Sequence, residues 1–399
     1  MNNKYICPFC FSSLNLNDIH YQCVNQSCTR MFIRAIDEGT VDRGRAYRST
    51  NDDEEIDVEK SVFLGKNLDG KDALRTKYHI VRNSSGICDI CCRPVHKRLC
   101  PVCHNPIPAE AEDEKNKIFV ILGPKGSGMS HYTSVLINQL KNSFAQEFNG
   151  IVVPASDRTE MKYRKYYFKS LYEGGRKLPS NDERSLKEPM IYYVRFPNKD
   201  LPGVTLVFFD ATDKGIRLES FISNASGIIC LMDPLQIPYV NERLRTNNKP
   251  PPSEDIVDVV SEISETIRSA MSLSPNSKIP IPLAMTFTKS DVLMKTPEND
   301  EEEKVLFGPG SSLNIPRERG VCDKENFMQI DAEIYEYLKR STPKKFVDII
   351  DGFENYCFFA VSSLGWNPES TILDRSISSF RVEDPLIWLL GNQDSGEKN

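Results

Sequence analysis

Five runs of apolar residues, each of strand length, are spaced along the last two-thirds of the chain. They span 118–122, 204–209, 228–232, 281–287 and 357–361. Runs without a polar face indicate strands that are buried on both sides, as in a parallel sheet. Helical spacing of apolar residues follows the first run, recurs at 254–271, and ends the pattern at 385–390. We therefore predict an α/β fold, with a mainly parallel sheet and helices on both faces.

The net charge, the apolar runs and the cysteine count exclude several classes of protein. The 399 residues carry a net charge of −6, which argues against a dedicated nucleic-acid coat because such a surface has to attract phosphates. No apolar run reaches membrane-spanning length, and the N-terminus lacks the apolar core of a signal peptide. We therefore expect a soluble, cytoplasmic protein with no membrane partner. In that reducing compartment the twelve cysteines need a role other than disulfides.

Nine of the twelve cysteines lie in the first 103 residues, mostly as closely spaced pairs. Zinc prefers a tetrahedron of four ligands, and two short cysteine pairs can close such a shell. The sequence therefore predicts two structural Zn2+ sites, each with a full set of protein ligands. The predicted ligands are Cys7, Cys10, Cys23 and Cys28 in the first group, and Cys88, Cys91, Cys100 and Cys103 in the second.

Cys92 is interpreted as a spare thiol, because Cys91 has the regular spacing from Cys88. His96 and His104 are alternative ligands, but four thiolates already complete each shell. The competing interpretation is a set of unconnected buried thiols. Zinc ribbons this small need the metal in order to fold, and they usually contact a protein or a nucleic acid. The basic excess at 87–108 is weak, which favours protein contact.

These features predict a chain of several parts. An acidic run at 52–57 indicates a solvated loop, and short apolar segments at 58–64 and 78–81 indicate strands. The predicted parts are a zinc ribbon at 1–36, an acidic connecting segment at 37–86, a second zinc ribbon at 87–108, a linker at 109–116, and an α/β domain at 117–393 with insertions at 154–190 and 292–325.

A glycine-rich loop joins the first apolar strand to the helix that follows. This context is the one a phosphate-binding loop requires, since glycines let N–H groups converge on phosphate oxygens and the helix N-terminus favours anions. Packing turns of the same composition are the alternative. The loop has Met129 where the motif G-x-x-x-x-G-K-[ST] has lysine, while Ser130 keeps the Mg2+-holding hydroxyl. Its candidate nucleotide-binding residues are Gly123, Lys125, Gly126, Ser127, Gly128, Met129 and Ser130.

Later strands end in further polar motifs. Asp210 follows the strand at 204–209, where a carboxylate can hold the water shell of Mg2+; a strand-end turn cap is the alternative. The strand at 281–287 runs into Thr288, Lys289 and Asp291, and the strand at 357–361 runs into residues 362–365.

This order of motifs over 117–392 resembles a GTPase domain of the translation-factor and Ras-like class. The resemblance implies that Asp291 and Lys289 of the T-K-S-D motif read guanine. It also implies that the turn of Ser362, Ser363 and Leu364 offers N–H groups to guanine O6, with Mg2+ and GTP or GDP as cofactors. Two zinc ribbons ahead of such a domain resemble the bacterial double-GTPase proteins. In that family, two GTPase-like proteins are encoded with a GTPase-activating partner in conflict or defence systems.

Two positions depart from the sequence motifs of this GTPase class. Met129 lacks the charge that neutralises the β- and γ-phosphates, so weaker affinity and slower hydrolysis are expected. Asp213 stands where the D-x-x-G motif has glycine, and Gly215 follows two residues later. Lys125 is a candidate replacement for the missing lysine, although a solvent-facing side chain is the simpler interpretation. Unchanged nucleotide affinity in Lys125→Ala would exclude the replacement.

The two insertions have simpler interpretations. In the first, Thr159 is a candidate Mg2+-sensing residue among several hydroxyls. Basic and aromatic residues alternate there, which can stack nucleobases, but an amphipathic helix with a solvated basic face is favoured. The second insertion carries an acidic run at 298–303 and is interpreted as a mobile surface loop.

The sequence thus predicts a guanine-nucleotide-binding switch with weak or partner-dependent hydrolysis. It would act in a multi-protein system, beside a second GTPase-like protein and a GTPase-activating partner. One alternative is a nucleotide-free scaffold that uses the zinc ribbons for protein contact. The other is a nucleic-acid-binding module built on the ribbons and the basic stretch at 158–169, against which the overall acidity argues.

Overall fold

The chain folds into two compact units, Met1–Asn116 and Lys117–Asn399. The structure is a computed structural model. It describes residues 4–25, 27–38, 54–68, 71–107, 117–124, 126–178, 189–197, 203–208, 224–243, 256–295, 306–308 and 310–392. Over these residues, no helix is both long and apolar enough to cross a membrane.

Among its described residues, the first unit contains short strands and two α-helices. Its strands are β1 (Lys4–Ile6), β2 (Ser13–Asn15), β3 (His20–Gln22), β4 (Glu55–Ile56), β5 (Arg75–Thr76), β6 (Ile80–Val81) and β7 (Lys97–Leu99). Its helices are α1 (Ser27–Asp37) and α2 (Val58–Phe63). Strands β1 and β2 pair as a hairpin, β4 pairs with β5, and β3 lies between β6 and β7.

Two segments differ from the predicted arrangement of this unit. The segment predicted as a strand at 58–64 is helix α2, because the Asp57 side chain accepts a hydrogen bond from Lys60 N and caps the first turn. The division into two separate zinc ribbons is also not the arrangement found. Strand β3, just before Cys23, pairs antiparallel with β7, just before Cys100, so both cysteine groups share one sheet.

The second unit contains a seven-stranded sheet. Its strands are β8 (Lys117–Leu122), β9 (Ile151–Pro154), β10 (Met190–Arg195), β11 (Val204–Phe208), β12 (Gly227–Met232), β13 (Leu283–Phe287) and β14 (Tyr356–Ala360). Their order across the sheet is β14-β13-β12-β8-β11-β10-β9. The first five strands in this order are parallel, and β10 and β9 are antiparallel additions at one edge. The predicted mainly parallel sheet is confirmed.

In the described part of the second unit, the main α-helices flank this sheet. They are α3 (Met129–Gln139), α4 (Asp157–Lys162), α5 (Pro238–Arg243), α6 (Ile256–Ala270), α7 (Lys324–Ser341), α8 (Lys344–Ile350) and α9 (Asp384–Gly391). On one face, Phe119 and Ile121 of β8 pack in a core with Leu136 of α3 and Leu386 of α9. Val120, on the other face, is equally buried. The strands are therefore covered on both sides, as their uninterrupted apolar sequence predicts.

The first insertion contains the favoured amphipathic helix. Helix α4 continues as a π-helix through Tyr163–Glu173. Tyr163, Tyr167 and Leu171 are buried at helical spacing, whereas Arg164 and Lys165 are exposed. Thr159, proposed as a Mg2+ sensor, is buried in the first turn of α4, and its N–H donates to the Ser156 cap at 3.2 Å.

The described later part of the second insertion is held in place, whereas the sequence suggested a mobile loop. The acidic run of the insertion lies outside the described residues. The later part is held to two helices of the unit: Ser312 N–H donates to Glu333 Oε1 of α7 at 2.7 Å, and Arg317 donates to Asp384 of α9 at 3.2 Å. Arg317 also forms an ion pair with Glu147 at 2.5 Å. These buried contacts fix the segment, because breaking them would leave charges unpaired.

Candidate functional site

Eight cysteine thiols of the first unit come together in two tetrads. One tetrad is Cys7, Cys10, Cys100 and Cys103, and the other is Cys23, Cys28, Cys88 and Cys91. Each tetrad takes one pair from each cysteine group, so the grouping expected from the sequence is replaced by an interleaved one. The antiparallel pairing of β3 with β7 explains this: Gln22 lies opposite Lys97, and His20 lies opposite Leu99. Cys23, at the end of β3, therefore lies near the start of β7, which follows the Cys88 and Cys91 pair. Cys100, at the end of β7, lies near the start of β3, which follows the Cys7 and Cys10 pair.

The sulfur spacing within each tetrad fits zinc. Zn–S bonds of about 2.3 Å in a tetrahedron place the sulfurs about 3.8 Å apart. Cys7 Sγ lies 3.7 Å from Cys103 Sγ, and Cys10 Sγ lies 3.7 Å from Cys100 Sγ. In the second tetrad, Sγ–Sγ distances of 3.6, 3.8 and 3.9 Å separate Cys23 from Cys28, Cys23 from Cys91, and Cys28 from Cys88. Four thiolates fill the shell, so both sites have the composition of structural zinc.

Three of the four cysteine pairs form the same knuckle. The carbonyl of the first cysteine accepts from the N–H four residues later, in Phe11, Cys92 and His104 at 2.8, 2.9 and 2.9 Å. Each of these residues has a positive φ, between 49° and 58°, which turns the chain around the metal position. Cys92 therefore occupies the turn and is exposed, while Cys91 belongs to the tetrad.

The fourth pair is held differently. Cys28 lies in the first turn of α1, and its N–H donates to Asn25 O at 3.0 Å. Burial raises the pKa of the Cys28 thiol, while its position at a helix N-terminus favours the thiolate. Backbone and amide donors support the other tetrad, where Val102 N–H and Asn105 Nδ2 donate to Cys100 Sγ and Cys103 Sγ at 3.4 and 3.3 Å.

A buried network of histidines and carboxylates joins the middle segment to the two tetrads. His104, directly after Cys103, contacts Asp57 Oδ1 through Nδ1 at 2.6 Å and His20 Nδ1 through Nε2 at 2.8 Å. Burial, and next the neighbouring His104, lower the pKa of His20 to about 4. The Asp57 side chain thus both caps α2 and orients His104.

A second branch of this network surrounds His79. Its ring contacts Glu55 at 2.9 Å and Asp89 at 2.8 Å. Burial alone would lower the pKa of His79, but hydrogen bonds to the two carboxylates raise it. Arg82 contacts Glu55 at 3.0 Å and Glu59 at 2.8 Å. No chemistry at 37–86 is predicted from the sequence, although His79, Arg82 and the nearby acidic residues were a signal that this segment carries buried charges.

The glycine loop of the second unit has the geometry of an anion-binding turn. Gly126 and Gly128 have φ of 87° and 85°, values that favour glycine. Gly128 is also the N-cap of α3. A Cβ at Gly123 would lie 2.5 Å from Ser127 Oγ and 3.1 Å from the Leu231 carbonyl oxygen, so only glycine fits there.

Ser127 gives an independent indication of a ligand at this loop. Its hydroxyl is buried and has no hydrogen-bond partner among the described residues. A buried unsatisfied hydroxyl is costly, and a phosphate oxygen is the kind of acceptor that would satisfy it. The loop therefore fits a phosphate group by both backbone conformation and side chain.

Met129, at the position of the missing lysine, begins α3. Its side chain is partly buried and packs against the hydrophobic core. Ser130 lies in the same first turn of the helix. Lys125, Asp210 and Asp213 lie outside the described residues, so the proposed replacement lysine and the proposed Mg2+ carboxylate remain predictions.

The T-K-S-D motif after β13 lies directly against the glycine loop. Thr288 Oγ1 donates to the Ser127 carbonyl at 2.5 Å, and Lys289 Nζ donates to the Gly126 carbonyl at 3.1 Å. A Cβ at Gly128 would lie 3.7 Å from Thr288 Oγ1. The two elements follow β8 and β13, parallel strands of one sheet with β12 between them, so their loops meet at the carboxyl edge of the sheet.

Asp233 belongs to the same edge and was not identified from the sequence. It follows β12, is 2% exposed, and accepts from Lys289 Nζ through Oδ2 at 2.5 Å. Its Oδ1 accepts from Leu235 N at 2.9 Å. An aspartate directly after a buried strand was the available signal, but its role depends on Lys289, which is 56 residues later.

The predicted base-reading groups also meet. Asp291 is buried, and its Oδ1 accepts from Ser362 Oγ at 2.6 Å. Ser362 Oγ accepts in turn from Gly365 N at 2.9 Å, which closes the turn that contains Ser363 and Leu364. The structure therefore joins the motif after β13 to the motif after β14 by a direct hydrogen bond.

Comparison with known proteins gives distant similarities. No protein-family model matches the chain. The chain is 22% identical, over 317 residues, to the "Putative ESX-1 scaffolding and assembly protein SaeC" of Mycolicibacterium smegmatis, with 73% of this chain and 78% of the relative covered.

Solved structures of low sequence identity also match. The S. cerevisiae Ski7 GTPase-like domain, bound to GDP and inorganic phosphate, has a TM-score of 0.32 and 14% identity, with 71% of this chain covered. A bacterial selenocysteine-specific elongation factor has a TM-score of 0.23 and 12% identity, with 61% of this chain covered. The match spans 51% of the Ski7 chain and 25% of the elongation-factor chain.

Proposed function

We propose that the second unit binds a guanine nucleotide with weak or partner-dependent hydrolysis. The observation that carries the proposal is the hydrogen bond between Asp291 and Ser362, which joins the two motifs that we propose to read the base. The contact of Lys289 with the Gly126 carbonyl supports it, because a base-reading motif has to lie close to the loop that binds the phosphates. A carboxylate can accept from both N1–H and the amino group of guanine, and adenine lacks this pair of donors.

Weak hydrolysis follows from Met129. Phosphoryl transfer depends on neutralising charge that develops on the phosphates, and a thioether supplies none. The bound nucleotide would then act as a conformational signal, with any hydrolysis completed by another protein. A second GTPase-like protein and a GTPase-activating partner, as in the double-GTPase resemblance, would provide that arrangement.

The zinc-binding unit would serve as a protein-contact module. Each tetrad is closed by four thiols, which leaves the metal a structural role. A relative whose name describes scaffolding and assembly supports a role within a multi-protein assembly. We also propose a role in a defence system, on the resemblance to the double-GTPase proteins. A cytoplasmic location is proposed from the sequence.

Calorimetric titration of the zinc-loaded protein with GTP, GDP and ATP in Mg2+ tests the proposal. We expect guanine nucleotides to bind in preference to ATP, and Asp291→Asn to abolish the preference for guanine. Asn keeps an oxygen acceptor for Ser362 but gains an N–H2 group that repels the guanine donors. Asp348→Asn, on the exposed face of α8, is the matched control and should bind as the wild type does.

The alternative is a scaffold that has lost nucleotide altogether. Met129 favours it, because its side chain packs against the core instead of offering charge to a phosphate. Absence of binding to any nucleotide at millimolar concentration, in protein with both zinc sites filled, would establish the scaffold and exclude the guanine-nucleotide proposal.

A further inference from the structure

Residues 174–178 form a short strap beside the glycine loop. Lys177 N–H donates to Thr371 O, and Leu373 N–H donates to Gly175 O, both at 2.8 Å. At its end, Leu178 N–H donates to His131 Nε2 at 3.2 Å. His131 directly follows Ser130 in the first turn of α3. The strap therefore contacts the first turn of α3, which follows the glycine loop, and the segment at 371–373, which follows the turn at 362–365.

The strap carries Lys177, which directly precedes Leu178 and its contact with the first turn of α3. Lys177 Nζ donates to the carbonyl of Pro368. This acceptor is neutral, and within the part of the chain that the structure describes Lys177 forms no ion pair with a carboxylate. Lys177 is partly buried, and burial, followed by the positive charge of Lys289, lowers its pKa. Lys289 itself contacts the phosphate loop at Gly126.

Partial burial and repulsion from Lys289 both disfavour the charged form of Lys177. Asp233 compensates Lys289 through its carboxylate, but the Lys177 hydrogen bond described above is to a carbonyl. An anion beside both lysines would remove the repulsion. Phosphate is suited to this role, since charged N–H···O contacts to phosphate are short and strong.

We propose that Lys177 binds a phosphate of the nucleotide and supplies the positive charge that Met129 does not. The inference rests on the proposed function, because it assigns a residue to the same site. A lysine ammonium has three donors, so Lys177 can keep its bond to Pro368 and still donate to a phosphate oxygen. In this proposal the positively charged side chain belongs to the strap and not to the glycine loop.

Lys177→Met tests the proposal, since methionine keeps most of the side-chain length without the charge. Arg176→Met is the matched control: Arg176 is the exposed neighbour on the same strap. Affinities for guanosine, GMP, GDP and GTP are measured by calorimetry on the zinc-loaded full chain. We expect Lys177→Met to bind phosphorylated ligands about ten- to a hundredfold more weakly and to bind guanosine as the wild type does. The first ligand in the series to lose affinity identifies the phosphate that Lys177 contacts.

Inorganic tripolyphosphate separates this inference from the guanine proposal. If wild-type protein is stabilised against heat by tripolyphosphate and Lys177→Met is not, Lys177 is a phosphate ligand whether or not guanine is read. Equal loss of guanosine and GTP binding in Lys177→Met, or no loss with either, would overturn the Lys177 proposal and leave guanine binding intact. A wild-type protein that binds neither GTP nor tripolyphosphate would overturn both.

Discussion

Lys289 Nζ donates to Asp233 Oδ2 at 2.5 Å, which ties the loop after β13 to the end of β12. The same nitrogen donates to the Gly126 carbonyl at 3.1 Å. Lys289 also has a φ of 52°, an unusual conformation for a residue with a side chain. The chain therefore pays a conformational cost at Lys289 to hold its ammonium group between a carboxylate and the phosphate loop.

Asp233→Asn should weaken guanine-nucleotide binding about tenfold or more, because hydrogen bonds to charged groups contribute roughly 1.5–3 kcal/mol. Asn keeps an oxygen for Leu235 N, so the turn after β12 remains capped while Lys289 loses its carboxylate partner. Affinity for GDP by calorimetry checks the prediction. Asp258→Asn, on the exposed side of α6, is the control. Full GDP affinity in Asp233→Asn would mean that Lys289 is positioned by Gly126 alone.

Gly365→Ala should destabilise the second unit and abolish nucleotide binding. Gly365 has a φ of 91°, and a Cβ there would lie 2.2 Å from the Ser378 carbonyl oxygen. The turn that presents Ser362 would have to open. Gly310 has a φ of 89° but no atom within 4 Å of an added Cβ, so Gly310→Ala carries the backbone strain without the clash. We expect Gly365→Ala to lose roughly 1–3 kcal/mol more of unfolding free energy than this control, as measured by chemical denaturation. Equal losses would show that the backbone at Ser378 yields at little cost.

The sequence was sufficient where a local pattern determines the structure. All residues of the strand at 118–122 are apolar, so both of its faces are buried. Gly126 and Gly128 can adopt the positive φ values that the loop requires. The four cysteine pairs, with C-x-x-C or C-x4-C spacing, are likewise recognisable as metal ligands from the spacing alone. In each case the deciding interaction lies within about ten residues.

The rest depends on partners that are distant in sequence. Which cysteine pair joins Cys7 and Cys10 is decided by the pairing of β3 with β7, which no local pattern encodes. The role of Asp233 requires Lys289, and the position of Lys177 requires the segment at 368–371. At 58–63 the error was of another kind: the Asp57 cap outweighed an apolar pattern that also suits a strand.

Asp331 provides a test by pH. It accepts from Phe358 N at 2.8 Å, and burial raises its pKa although that hydrogen bond lowers it. The folded state therefore holds the proton more tightly than the unfolded state does. Its stabilising contribution is complete below the usual pKa of aspartate, about 3.9, and is lost as the pH rises through the folded-state value.

Asp331→Asn keeps an oxygen acceptor for Phe358 N and removes the buried charge. We expect the variant to unfold at a higher temperature than the wild type at pH 7, with the difference shrinking toward pH 4. Asp348→Asn, at an exposed position, should change neither the melting temperature nor its pH dependence. A lower melting temperature for Asp331→Asn at pH 7 would mean that the charged hydrogen bond outweighs the desolvation of the carboxylate.

The interleaved tetrads predict a specific pattern of zinc loss in double variants. Cys10 and Cys100 belong to one tetrad, so Cys10→Ser combined with Cys100→Ser should leave the other site filled, with one zinc per chain by elemental analysis. Cys10 and Cys28 belong to different tetrads, so that pair of substitutions should leave none. Sequence-local ribbons would give the reverse, because Cys10 and Cys28 would then share a site. Cys92→Ser is the control and should retain both metals, since Cys92 is exposed and lies outside both tetrads.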